Sequence, residues 1–274
     1  MVAFGRCLTA VDRAATSGPV PREIADAIHA AGPRLAPLGS ALVFYPTVGS
    51  TNDVAASLAT EGAIVIAAEQ TAGRGRRGRT WFSPAGSGLY VSVVLMPARA
   101  ADARRATMLL TLAAGVALAE GVEASAGLRV DLKWPNDLFV SRRKLGGILA
   151  EAVDDTVVLG YGINVSATAC PRDLRDRMTS LDAELGRPVN RSIVLVETLA
   201  ALAQRYADLI DGRFDAILDA WRCRTPSAIG ARVEWDTPAG RRSGVTEGID
   251  DDGALLVRVG DGVERIVGGQ VTWL

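Results

Sequence analysis

Two lysines, Lys133 and Lys144, stand against 28 arginines in this chain of 274 residues, and they lie within twelve positions of each other. Where any positive charge would serve, this sequence uses arginine. A retained lysine therefore marks a place that needs a compact ammonium instead of a planar fork. Asparagine is scarce too: there are four, and Asn52, Asn136 and Asn164 fall in segments that carry other signs of chemistry. The most distinctive of these segments is Gly73-Arg74-Gly75-Arg76-Arg77-Gly78-Arg79, which sets four guanidinium groups on a backbone whose glycines let its amides approach an anion closely. Such a loop should bind phosphate or carboxylate, stay flexible when empty, and exclude water when it closes. No Gly-Lys-Ser/Thr follows it, as a Walker loop requires, and no helix opens behind it, as a dinucleotide fingerprint requires. The alternative is a solvated turn or an RNA-binding arginine-glycine segment, which its position between two apolar strands disfavours.

Lys133-Trp134-Pro135-Asn136-Asp137 joins a cation, a rigid turn, an amide and a carboxylate directly after a strand, which suits a nucleotide with Mg²⁺. A hydrogen-bonded turn is the plainer reading of the same residues. Lys144-Leu145-Gly146-Gly147-Ile148 puts the second lysine at the start of an apolar strand, either over the floor of a pocket or in a structural salt bridge. Gly160-Tyr161-Gly162-Ile163-Asn164 ends another strand with small residues and an amide, suiting close approach to a ligand.

Composition narrows the chemistry. The formal net charge of -1 offers no global attraction to nucleic acid or to an anionic membrane, so anion binding must be local. A single histidine, His29, excludes histidine triads and multi-histidine metal centres. Cys7, Cys170 and Cys223 are odd in number and far apart, which argues against a disulfide framework or a thiolate metal site. No uninterrupted apolar run reaches the roughly 18 residues of a membrane span, and no secretory signal opens the chain, so the expected location is the cytoplasm.

These residues need elements to place them. Apolar runs predict strands at Ala41 to Tyr45, Ala63 to Ala68, Leu89 to Leu95 and Leu128 to Lys133, the last broken by Pro135. Lys144 to Val153 and Thr156 to Gly162 read as a hairpin around Asp154-Asp155. Helices are expected at Pro21 to Ala31, from Ser50 through Leu58, at Ala103 to Glu123, Asn190 to Ile210 and Phe214 to Trp221. Near-continuous apolarity in the long Ala/Leu helix implies that it packs on a sheet. From Thr225 the pattern changes to short strands between Gly, Pro and Asp clusters, expected at Ile229 to Trp235, Arg242 to Ile249, Ala254 to Val259 and Val263 to Val267, as in a small β-barrel.

Taken in order, Gly-Ser-Thr-Asn, Glu-Gln-Thr-Ala-Gly-Arg-Gly-Arg-Arg-Gly-Arg, Lys-Trp-Pro-Asn-Asp, Lys-Leu-Gly-Gly-Ile-Leu and Gly-Ile-Asn resemble biotin protein ligases, over about residues 41 to 274. The resemblance implies an α+β fold: a mixed sheet of seven strands with helices, related to class II aminoacyl-tRNA synthetases, followed by an SH3-like barrel. The corresponding division is a short extension at 1–40, a catalytic domain at 41–224 and a barrel at 225–274. It implies that biotin and ATP, with Mg²⁺, form biotinyl-5'-AMP, which then passes to a lysine of a biotin carboxyl carrier protein domain of acetyl-CoA carboxylase or a related carboxylase. Lys144 and Arg76 become the catalytic candidates. Ser50, Thr51, Asn52, Gln70, Gly73, Arg74, Gly75, Arg76, Lys144, Gly147 and Asn164 become candidates for binding biotin or its adenylate. Arg77, Trp81, Lys133 and Asn136 fall to the nucleotide, and Asp137 to a contact with Mg²⁺. Many bacterial ligases of this kind carry an N-terminal DNA-binding domain, whereas about forty residues precede the catalytic region here. The expectation is a monofunctional enzyme with no nucleic-acid or membrane partner; the oligomeric state stays open. Rival readings are a lipoate or octanoate transferase, a nucleic-acid-binding module, and an inactive effector-binding module. The arginine-rich loop and the Lys-Trp-Pro-Asn-Asp form favour biotin.

Overall fold

The computed structural model describes residues 16–167, 176–238 and 240–274; Cys7 and Cys170 lie outside them. Helix α1 (Arg22–Ala31) precedes β1 (Ala41–Tyr45), and α2 (Thr51–Leu58) crosses from β1 to its parallel neighbour β2 (Ala63–Ala67). After the arginine loop come β3 (Gly88–Leu95) and the long helix α3 (Ala103–Ala126), followed by β4 (Asp131–Lys133), β5 (Asp137–Val140), β6 (Arg143–Val153) and β7 (Thr156–Asn164). These strands form one mixed seven-stranded sheet in the order β1-β2-β3-β7-β6-β5-β4, antiparallel beyond the first pair. All of β2 and β3 is buried, which is why both read as continuous apolar runs and not as alternation.

Short α4 (Leu181–Leu185), then α5 (Arg191–Ile210) and α6 (Phe214–Arg222), complete the sheet domain. Helix α5 begins where Asn190 accepts hydrogen bonds from the N–H groups of Ser192 and Ile193 at 2.9 and 3.2 Å. It runs against α3 so closely that a Cβ on Gly121 would lie 2.5 Å from the Cα of Thr198. Helix α3 has the length and apolarity of a membrane span, yet 72% of its most apolar window is buried within the protein, against α5 on one side and Leu132 and Ile148 of the sheet on the other.

The final strands, β8 (Ile229–Thr237), β9 (Gly240–Ile249), β10 (Leu255–Val259), β11 (Gly262–Ile266) and β12 (Val271–Trp273), form a separate antiparallel sheet in the order β11-β10-β9-β8-β12. Its β9–β10 turn docks on the sheet domain. Trp134 Nε1 donates to the carbonyl of Gly253 at 2.9 Å, and Arg104 pairs with Asp252 at 2.9 Å. Gly253 has φ +79°, and any side chain there would press into Leu112. Apolar side chains of both sheets join in one continuous core.

Two expectations change. The strand expected at Leu128 to Lys133 is confined to Asp131–Lys133, and Asp137–Val140 forms an additional strand. Lys-Trp-Pro-Asn-Asp is thus the turn of a hairpin and not merely the end of a strand. Four residues are too few for periodicity to reveal β5, and the same holds for the three residues of β12.

Candidate active site

The β4–β5–β6 hairpins bring the two scarce lysines to one face. Lys133 pairs across with Asp137, and Phe139 pairs across with Lys144, so these four side chains are cross-strand neighbours. Lys144 Nζ donates to Asp137 Oδ1 at 2.6 Å and stands 5.4 Å from the centroid of the Trp81 ring. Lys133 Nζ lies 5.1 Å from the Phe139 ring and 5.6 Å from the Trp273 ring, and among the described residues it makes no hydrogen bond or ion pair. Burial, offset by Asp137 and reinforced by Lys144, holds the Lys133 ammonium below the usual lysine range.

The floor beside them is made of glycine. Gly147 of β6 pairs with Gly162 of β7, and Gly160 pairs with both Leu149 and Ser92. The two-residue period puts Gly147, Gly160, Gly162 and Ser92 on the face that receives α2. The amide of Asn52 occupies the space over Gly160, and the indole of Trp81 lies over Gly162, its Cε2 2.6 Å from where a Cβ would stand. No larger residue fits either place. Trp81 Nε1 is buried without a hydrogen-bond acceptor among the described residues.

The start of α2 is locked onto this floor. Thr51 donates to Gln70 Oε1 from its backbone N–H at 2.8 Å and from its hydroxyl at 3.0 Å, and Gln70 Nε2 donates to Ser83 Oγ at 3.0 Å. Ser92 Oγ lies 2.8 Å from Thr51 Oγ1 and 2.6 Å from Asn52 Oδ1, while Asn52 Nδ2 donates to Glu151 at 2.6 Å. Ser50 sits at the N-cap position with no side-chain capping bond, so the Gln70 amide does the work expected of a serine cap.

The arginine loop folds as a tight hairpin. Trp81 N–H donates to Gly73 O at 2.8 Å, and Gly75 N–H to Arg79 O at 2.7 Å. A Cβ on Gly73 would lie 2.5 Å from the carbonyl oxygen of Trp81, so the turn requires glycine there. The four guanidinium groups do not share one task. Arg74 forks onto Asp53 with two 2.7 Å bonds and reaches Glu151 at 3.2 Å, and the Asp53 bonds hold its charge most firmly. Arg76 donates to Asn136 Oδ1 at 3.2 Å, and its guanidinium is less easily held charged because it is buried beside Arg77. Arg77, at φ 60°, turns toward the barrel, where Nη2 lies 3.5 Å from the place a Cβ would take on Gly269.

Asn136 bridges Arg76 to β6 by donating to the carbonyl of Ile148 at 2.7 Å. Asn164 instead donates to Thr179 O at 3.0 Å, tying the end of β7 to the segment whose Arg177 carbonyl and Thr179 N–H bond the Lys144 backbone. Arg76 also lines a cavity of about 270 Å³ at the junction of α3, β6 and the barrel, with Leu112, Pro135, Ile148, Gly253 and Val267. Ser50, Thr51, Asn52, Gln70, Gly73, Arg74, Trp81, Lys144 and Gly147 thus gather around the glycine floor, Gly75 stays within the loop hairpin against Arg79, and Arg76, Arg77, Lys133 and Asn136 lie toward the barrel side. Sequence reasoning passed over Asp53, Ser92, Glu151 and Trp273. Ser92 carried a signal, being the one polar residue in an apolar strand; Glu151 shares the strand face of Gly147, but nothing in the sequence names its partners. Among the described residues no group of three Asp, Glu, His or Cys side chains is placed to hold a metal ion.

Residues 45–166 match the Biotin/lipoate A/B protein ligase family, and residues 229–272 match the Biotin protein ligase C terminal domain. The bifunctional ligase/repressor BirA of Bacillus spizizenii is 36% identical over 85% of this chain and 74% of its own length. The biotin--[acetyl-CoA-carboxylase] ligase of Mycobacterium tuberculosis is 36% identical over 82% of this chain and 86% of its own. The chain belongs to the biotin protein ligase family. It shares its architecture with the biotin protein ligase of Aquifex aeolicus solved in complex with biotin and ATP, with a TM-score of 0.75, 28% identity, and coverage of 86% of this chain and 99% of that one. The two family matches meet at the cavity: Arg76, Pro135 and Ile148 come from the first matched segment, and Gly253 and Val267 from the second. As a member of a ligase family, the chain joins two reactants.

Proposed function

We propose that this chain activates biotin with ATP to biotinyl-5'-AMP, releasing pyrophosphate, and passes the biotinyl group to a lysine on a biotin carboxyl carrier domain of acetyl-CoA carboxylase or a related carboxylase. One observation supports the reading: the Lys144 ammonium, the Trp81 indole lying over Gly162, and the N-terminus of α2 held by Gln70 converge on one face of the sheet. The ureido end of biotin would face Ser50, Thr51, Asn52 and Gln70, and its carboxylate would face Lys144. Arg76, which donates to Asn136 of the Lys-Trp-Pro-Asn-Asp turn, would meet the α-phosphate.

Two anions must meet in the first step, so its barrier is largely electrostatic. A carboxylate oxygen attacks the α-phosphorus and the bond to pyrophosphate breaks. Lys144 has three N–H donors and spends one on Asp137, which leaves two for the reacting oxyanions. Lys133, with no hydrogen bond of its own among the described residues, would hold phosphate oxygens. Mg²⁺, which would neutralise phosphate charge when bound, would be held by those phosphates and Asp137. In the second step the neutral amine of the acceptor lysine attacks the acyl carbon and AMP leaves, so this chain supplies positioning and no nucleophile. Dependence on ATP fits a reaction in the cytoplasm.

Incubation with biotin, MgATP and a carboxyl carrier domain, followed by intact-mass analysis of the carrier, tests the proposal. One biotinyl addition is expected, absent without ATP and absent when lipoate or octanoate replaces biotin. An unmodified carrier together with no biotin-dependent pyrophosphate release would refute it.

A further inference from the structure

We propose that Trp273, in the last strand of the barrel, is a positioning residue for the nucleotide: the face of its ring holds the Lys133 ammonium in the site. This rests on reading Lys133 as a phosphate-binding group. A lysine side chain is long and flexible, and one that must meet a phosphate needs something to hold it. A carboxylate would do so at the cost of cancelling the charge and occupying a donor. That is the position of Lys144, whose ammonium is bonded to Asp137. Lys133 is treated differently. Its ammonium lies over two aromatic rings, Phe139 of β5 at 5.1 Å and Trp273 of β12 at 5.6 Å. Ring faces attract a cation through their quadrupole while leaving all three N–H donors free for an oxyanion.

Two further observations point to the ring face as the functional part of Trp273. Its Nε1 is buried and has no acceptor among the described residues, so no hydrogen bond of its own fixes the indole there. The segment just before it also reaches the loop, for Arg77 Nη2 lies beside Gly269. Strand β12 is held to β8 by the pairs Val271 with Trp235 and Trp273 with Val233, so the barrel is what carries the ring to Lys133. The terminal strand of one sheet thereby sets the position of a cation on the other.

Steady-state kinetics of adenylate formation with Trp273→Phe, Trp273→Leu, Phe139→Leu and Lys133→Met test this, alongside biotin binding by calorimetry and thermal melts. Trp273→Leu should raise KM for ATP about five- to thirtyfold, with biotin affinity unchanged, and Trp273→Phe should restore it to within about threefold. Phe139→Leu should raise KM for ATP in the same direction, which keeps the test open if Trp273→Leu fails to fold. In the Lys133→Met background, Trp273→Leu should add nothing. Equal effects of leucine and phenylalanine at position 273, or a loss shared equally by biotin binding, would show simple packing and overturn the inference alone. An unchanged KM for ATP in Lys133→Met would overturn the inference together with the role of Lys133 on which it rests.

Discussion

Replacing Lys144 by arginine keeps the charge and changes its shape, and so asks whether the site needs a cation or specifically an ammonium. The ammonium donates to Asp137 at 2.6 Å, stands 5.4 Å from the Trp81 centroid, and lies 3.4 Å from the place a Cβ would take on Gly147. A longer, planar guanidinium can meet the same carboxylate only by displacing Trp81 or Asp137. The side chains of the pair are 28% and 26% exposed, which places it between the surface limit of about 0–1 kcal/mol and the buried limit of about 3–5 kcal/mol. Lys144→Met, which leaves Asp137 unpaired, should therefore lower stability by about 1–3 kcal/mol in urea, whereas Lys144→Arg should lower it by less than about 1 kcal/mol. Catalysis should separate the two effects. A displacement of about 1 Å at the reacting atoms costs on the order of 100-fold, equivalent to about 2.7 kcal/mol in the transition state. Biotin-dependent pyrophosphate release should thus fall about 100-fold in Lys144→Arg, with near-normal unfolding. An arginine variant that works within about threefold of the parent chain would refute the argument that a scarce lysine marks a geometric requirement.

Gly162 has no positive φ, so the backbone tolerates alanine there, but the methyl group would strike the Trp81 indole on the proposed biotin floor. Gly162→Ala should keep its circular dichroism and lose at least about tenfold in biotin affinity by calorimetry, and full affinity would remove the floor from the site. Burial lowers the Lys133 pKa, so the ammonium, charged at low pH, becomes neutral as pH rises through a value below the ordinary lysine value of about 10.4. KM for ATP should accordingly climb on the alkaline side, and Lys133→Arg should abolish the climb because a guanidinium stays charged; an identical climb in that variant would assign it to another group. Gly121→Ala gains about 1 kcal/mol of helix propensity but drives a methyl group into the Thr198 backbone, so urea unfolding should show a net loss of about 1–2 kcal/mol with normal kcat. A more stable variant would mean that the α3–α5 contact yields without cost.

Much of the fold was legible because it is written in local pattern. The long apolar run of α3, the strands buried on both faces at β2 and β3, and the hairpin of β6 and β7 all follow from composition over five to two dozen residues. Elements shorter than a pattern were not legible. Strand β5 has four residues and β12 has three, and each exists because a neighbouring strand accepts its hydrogen bonds. Those two strands carry Phe139 and Trp273, the rings over which Lys133 lies, so the missed elements and the missed residue have the same cause.

By itself the sequence determined which kinds of group the site would use: glycines where backbone must come close, arginines on a tight loop, and two ammonium groups where a fork would not serve. Tertiary structure decided how those groups are paired. Arg74 is committed to Asp53 and Glu151, 21 and 77 residues away, Lys144 to Asp137, and Lys133 to a ring from the end of the chain, which leaves Arg76 and Arg77 at the barrel junction. The physical reason is that charge and backbone freedom belong to a residue, whereas a salt bridge, a cation–π contact and desolvation belong to a position in space. That position is set by strand register and by the docking of one sheet on another.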